Sequence, residues 1–186
     1  NMDIPTKDQI RAKLKQNPTV TDLDIDTRID MIHDILTLKE KHNVVILGHN
    51  YMEPLVFNLS KPEEQGDSLG LSRYASKTTA QNIIFNGVPF MAETAKILSP
   101  EKKVLLPVNE AGCPLAETIK PAQLISLKKQ HPDAWVVSYV NTSAQIKALS
   151  DVCCTSANAI NVVKNVPVDK VIFVPDKNLG WWVRKN

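Results

Sequence analysis

A chain of 186 residues, 43% hydrophobic and 23% charged with net charge +2, is long enough for a sizeable core and two small domains. Lysines fall singly or in pairs such as Lys102-Lys103 and Lys128-Lys129, which excludes a basic block for nucleic acid or a membrane surface. No apolar run approaches the roughly 20 residues of a membrane span, and the three cysteines make no disulfide framework, so the expected location is cytoplasmic.

The first twenty-odd residues predict an N-terminal helix and a connection. A second helix is predicted over Asp26–Lys41, with Ile29, Ile32, Ile35 and Leu36 on one stripe, an acidic start and a basic end. Six short β-branched runs follow: Val44–Gly48, Asn82–Gly87, Lys103–Val108, Ala134–Val140, Asp151–Thr155 and Lys170–Asp176. Continuous apolar runs of this length suit strands of a parallel sheet, buried on both faces. Between them lie helical patterns at Ser68–Lys77, Phe90–Leu98, Pro121–Lys129, Ser143–Ser150 and Ala157–Lys164. Strand and helix alternate throughout, so the fold class is α/β. The strands divide into two sets of three with the same layout, which predicts two similar three-layer αβα units with short parallel sheets, joined near Leu115–Pro121.

Loops that follow parallel strands gather at one sheet edge, where open α/β sheets bind ligands. Here they read GHNYMEP, NGVPFMAET, NEAGC, NTSAQ, TSANA and PDKNLG. Many of their Ser, Thr and Asn residues fit as helix caps. His49 and Tyr51 alternate after a buried strand, so an extended backbone points both to one side. They suit carboxylate binding or proton transfer, and a histidine satisfied within the core fits equally well. Asp67 or Ser68 opens a helix whose first N–H groups, with the Ser68 hydroxyl, form either an anion site or a plain cap. TSANA, with Ser156, makes the same offer. Tyr139 and Asn141 repeat the alternation of His49 and Tyr51. Cys153 and Cys154 read as packing residues of a short buried strand. Cys113 sits alone in its loop, with neither a base nor a companion ligand nearby in sequence.

With those residues in view, the chain resembles the quinolinate synthase family, iron–sulfur enzymes of NAD biosynthesis. The resemblance rests on GHNYMEP (48–54), GDSLGLSRYAS (66–76), IIFNGVPFMAETAKILSPEKKVLLP (83–107), AGCPLAE (111–117), SYVNTSAQIKALSDVCCTSANA (138–159) and FVPDKNLGWWV (173–183). It implies a pseudo-three-fold assembly of three similar α/β domains around one site. The chain would then hold an N-terminal segment (1–25), a first domain (26–115) and an incomplete second (116–186), with the third absent. The implied reaction condenses iminoaspartate with dihydroxyacetone phosphate, releasing water and phosphate. The implied cofactor is a [4Fe–4S] cluster held by three cysteines, one per domain, with one iron left open to substrate. Carried over by position, Cys113 is a cluster ligand, His49 binds a carboxylate and Tyr51 assists proton transfer. Ser68, Tyr139, Asn141 and Ser156 hold carboxylate or phosphate oxygens.

The departures define further expectations. The segment LVFNLSKPEEQ is not the usual family text, Asn86 and Pro89 replace common Cys and His, and Cys153 and Cys154 match neither remaining ligand. A chain holding one cluster thiolate of three is expected to be inactive alone and to carry no stable cluster. Truncation is expected to expose apolar domain faces and promote self-association. The alternative is a degenerate, non-catalytic paralogue serving as a small-anion-binding or interaction module.

Overall fold

The structure, a computed structural model, describes residues 4–186. They form two compact units, one reaching Asn109 and the other running from Glu110 to Asn186. Both are layered α/β structures, as the alternation of runs predicts.

Unit 1 begins with α1 (Lys7–Leu14), whose Thr6 and Gln9 form a reciprocal capping box, and α2 (Asp22–Lys41). The predicted start of α2 at Asp26 is too late. The Thr21 hydroxyl oxygen accepts a hydrogen bond from the Asp24 N–H, and the Asp24 carboxylate accepts one from the Thr21 N–H, so the helix gains a further turn. Its buried face carries Ile25, Ile29 and Ile32, packed with Ile10, Leu14 and Leu55. Asn43 follows with φ 48°, the left-handed conformation that ends helices and that Asn tolerates.

The strands of this unit are β1 (Val44–His49), β2 (Gln65–Gly66), β3 (Asn82–Asn86) and β4 (Lys103–Leu105), all parallel in the order β2-β1-β3-β4. The central strands bury Val45, Ile46, Leu47, Ile83 and Phe85, each burial contributing about 1.5–3 kcal/mol before opposing entropy. β4 is shorter than predicted and is not buried on both faces. It is an edge strand with Leu105 half exposed, and Pro107, lacking an N–H, cannot extend its ladder.

The segment between β1 and α4 (Ser68–Lys77) has more structure than its sequence reveals. It forms α3 (Pro54–Phe57), capped by Glu53, then a single 3₁₀ turn at Pro62–Glu64 and the two-residue β2. It also supplies Glu64, whose Oε2 lies 2.6 Å from Lys39 Nζ, with both side chains 3% exposed. Lys39 continues the buried stripe of α2, and its ammonium reaches the Leu59 carbonyl at 3.2 Å. After β3, α5 (Pro89–Leu98) leads to β4.

Unit 2 carries α6 (Pro121–Gln130), β5 (Trp135–Tyr139), α7 (Ala144–Ala148), β6 (Val152–Cys154), α8 (Ala159–Lys164), β7 (Val171–Val174) and α9 (Lys177–Lys185). Its sheet is parallel with order β6-β5-β7. Neighbouring residues of β5 serve opposite faces. Val136 packs with Leu124, Ile146 and Val174, whereas Val137 packs with Cys154, Ala159 and Val183. The sheet therefore has a core on each side. The last element corrects the sequence reading, which left PDKNLG as loop. Asp176 accepts from the Asn178 and Leu179 N–H groups and starts α9, which places Leu179 and Val183 in the core.

The two units repeat one order of connection, β1-β2-β3 matching β5-β6-β7. The registers match as well. His49 pairs with Gly66 at the end of β1, and Tyr139 pairs with Cys154 at the end of β5. Tyr51 and Asn141 therefore occupy equivalent positions after their strands, as do Ser68 and Ser156. No helix among the described residues is long and apolar enough to cross a membrane.

Candidate active site

In unit 1, β1 ends at His49, which is 7% exposed while Tyr51 is 89% exposed. The extended alternation expected for this pair does not form, because the chain turns and the Met52 N–H bonds the His49 carbonyl at 2.9 Å. The turn still brings the two rings together, edge to face, with centroids 4.8 Å apart. His49 Nδ1 accepts from the Tyr51 backbone N–H at 3.4 Å, which leaves Nε2–H as the donor of a neutral ring.

Burial pushes the His49 imidazole below its ordinary 6.5, and the Asp67 carboxylate pulls it part of the way back. The ring is therefore neutral near pH 7. A depressed folded-state pKa stabilises the fold above the unfolded value, and that contribution is lost as pH falls from 6.5 through the folded pKa. An NMR titration of the His49 ring should give a midpoint below 6.5, and Asp67→Asn should move it lower. A midpoint above 6.5 would contradict the desolvated environment.

Asp67, rather than Ser68, caps α4, its Oδ1 accepting from the Gly70 N–H at 2.7 Å. The plain-cap reading thus describes Asp67, and Ser68 is the first helical residue, half-buried. The Ser68 carbonyl accepts from the Ser72 hydroxyl.

In unit 2 the corresponding residues form a tighter group. Asn141 Nδ2 donates to the Tyr139 hydroxyl at 3.0 Å, and the Ser156 side chain lies beside the same phenol. Burial raises the Tyr139 phenol above its ordinary 10.0, the Ser156 bond opposes this, and the potential charges of Asp176, Cys154 and Cys113 add to the rise. Tyr139 is therefore a protonated donor across the physiological range. Asn158 reaches back, its Oδ1 accepting from the Thr155 N–H at 2.7 Å, which leaves Ser156 on an exposed turn.

Cys113 is half-buried at the start of a turn, its carbonyl accepting from the Ala116 and Glu117 N–H groups at 3.0 and 3.2 Å. The adjacent pair departs in part from the packing role expected of it. Cys154 is buried, with its thiol pushed up to about 11, whereas Cys153 is exposed and lies 3.2 Å from the Ser138 hydroxyl. The two are free thiols, not a bridge.

Of the expected residues, Asn141 meets Tyr139 in unit 2 with Ser156 beside the phenol, His49 meets Tyr51 in unit 1, and Cys113 stands in its own turn. Sequence reasoning missed Asp176 as a neighbour of Tyr139 and gave Asp67 no influence on His49. The signal for Asp176 was its place beside the Tyr139 loop at the parallel strand ends. Among the described residues no group of three His, Cys, Asp or Glu gathers to hold a metal. Cys113 fits one thiolate position, and the full ligand set of an iron–sulfur cluster is not assembled from these residues.

A family model described as quinolinate synthetase A protein matches residues 33–186. The chain belongs to the quinolinate synthase family. It is 53% identical over 153 residues to the quinolinate synthase of Geotalea uraniireducens, an alignment covering 82% of this chain and 50% of that protein. The quinolinate synthase of Pelobacter propionicus is 55% identical over 151 residues, covering 81% and 49%. That of Synechocystis sp. is 51% identical over 155 residues, covering 83% and 48%. The chain spans about half the length of the curated quinolinate synthases it matches.

Proposed function

We propose that this chain supplies part of a quinolinate synthase active site, in a cytoplasmic enzyme that condenses iminoaspartate with dihydroxyacetone phosphate. The observation that carries the reading is the Asn141 amide bonded to the Tyr139 phenol at the end of β5, matched in register by His49 and Tyr51 at the end of β1. Both proposed substrates present oxygen anions, and the site residues are mainly neutral donors. Neutral His49 offers Nε2–H to a carboxylate. Tyr139, with its proton retained, and the Asn141 amide and Ser156 hydroxyl offer further donors for carboxylate or phosphate oxygens. Such donors fix the orientation of a polyanion without the rearrangement water would require. Exposed Tyr51, edge-on to the His49 ring, would pass a proton during enamine or carbonyl chemistry.

A [4Fe–4S] cluster would supply Lewis-acid chemistry when bound, and Cys113 would be one of its thiolates. With Cys113 the one thiolate of three that matches by position, this chain alone is expected to carry no stable cluster and to be inactive. Anaerobic reconstitution of the 186-residue chain with iron and sulfide should leave no persistent cluster absorbance after desalting. Robust incorporation would overturn the reading of Cys113 as one member of a set completed elsewhere.

A further inference from the structure

The run Asn141-Thr142-Ser143 links the Tyr139 strand to α7, and each of its residues does a different job. Asn141 bonds the Tyr139 phenol, and Ser143 caps α7 by accepting from the Ile146 N–H at 3.3 Å. Thr142 faces neither of these partners. It is fully buried at 0% exposure, and its hydroxyl donates to the Ala116 carbonyl at 3.4 Å.

Ala116 belongs to the turn that begins at Cys113. The Ala116 N–H closes that turn on the Cys113 carbonyl, its side chain is buried, and its own carbonyl is the one Thr142 engages. On the far side, the Thr118 hydroxyl bonds the Leu115 and Pro175 carbonyls at 3.1 and 3.2 Å. Thr118 is exposed, so water can replace its bonds. A buried carbonyl deprived of Thr142 has no such replacement.

We infer that Thr142 is a positioning residue that holds the Cys113 turn in register with the Tyr139–Asn141 loop, fixing where the Cys113 thiol sits. This rests on the reading of Cys113 as a site residue. The same short run then sets both the Asn141 donor and the Cys113 thiol. A β-branched residue at position 142 fills the buried space, but only a hydroxyl-bearing one engages the carbonyl.

Alkylation by iodoacetamide, followed residue by residue by mass spectrometry, tests this in the chain as it stands and needs no cluster. Thr142→Val keeps the shape and removes the donor. It should raise Cys113 alkylation about fivefold to tenfold, the loosening expected from one lost buried hydrogen bond. Thr142→Ser, which keeps the donor, should stay within about twofold of the parent. Buried Cys154 reports opening of the unit as a whole, and its alkylation should not change. Unchanged Cys113 reactivity in Thr142→Val, or an equal rise at Cys154, would overturn the proposal. Because the readout is the thiol itself, failure of the cluster reading would leave this result intact and distinguishable.

Discussion

Replacing Lys39 with methionine should lower the unfolding free energy of the chain by about 3–5 kcal/mol, measured by urea denaturation. The ammonium and the Glu64 carboxylate meet at 2.6 Å, and both side chains are 3% exposed. Methionine fills much of the same volume, so the loss comes mainly from stranding a buried carboxylate without its cation. The Glu64 Oε2 keeps its bond from the Lys61 N–H at 2.9 Å and the charges of Lys13 and Lys61, which offset only part of the missing contact. The double substitution Lys39→Met with Glu64→Leu removes both charges and should recover most of the loss, because the pair's Coulomb attraction largely offsets its desolvation. A loss below about 1 kcal/mol for the single variant would mean that water screens the pair as it screens surface pairs.

This pair also shows where the sequence was legible and where it was not. The apolar stripe of α2 could be read from spacing, and the structure buries Ile29 and Ile32 as that spacing requires. Lys39 lies on the same stripe, but a lysine in sequence reads as solvent-facing. Its partner sits in the segment that departs from family text. Only the fold brings Lys39 and Glu64 together, so neither residue marked the other. The same limit hid β2, which is two residues long and owes its existence to pairing with Gly48 and His49. At the C-terminal end, α9 went unread because Lys-Asn after Pro175-Asp176 resembles a loop until the Asp176 cap is seen.

The site was more legible than its geometry. Residues after the buried strands could be named because parallel strands deliver their loops to one edge. The partners of each residue could not. His49 and Tyr51 meet through a turn and not through strand alternation. Asp67 took the cap that Ser68 might equally have filled. Cys153 and Cys154 looked alike in sequence, yet the pleat separates an exposed thiol from a buried one whose pKa burial lifts to about 11. The repeat of position between Tyr139 and His49, and between Ser156 and Ser68, became visible only through strand register.

The second large effect concerns Cys113. A thiolate ligand cannot be replaced by a hydroxyl without losing most of its hold on iron, because soft sulfur ligation is what stabilises such clusters. The surrounding turn is held by backbone bonds to the Cys113 carbonyl and by Thr142, so serine at this position should leave the fold of unit 2 in place. On the role proposed for Cys113, the loss in a protein that carries the whole ligand set should fall on cluster and activity together, with little change in the urea midpoint.

The most direct measurement is quinolinate formation by this chain completed with the C-terminal half of the Geotalea uraniireducens enzyme, reconstituted and assayed anaerobically with iminoaspartate and dihydroxyacetone phosphate. The completed protein should make quinolinate, and its Cys113→Ser variant should retain less than about 1% of that rate. A folded, cluster-loaded fusion that makes none, or a Cys113→Ser variant as active as its parent, would contradict the assignment of this chain as part of a quinolinate synthase site.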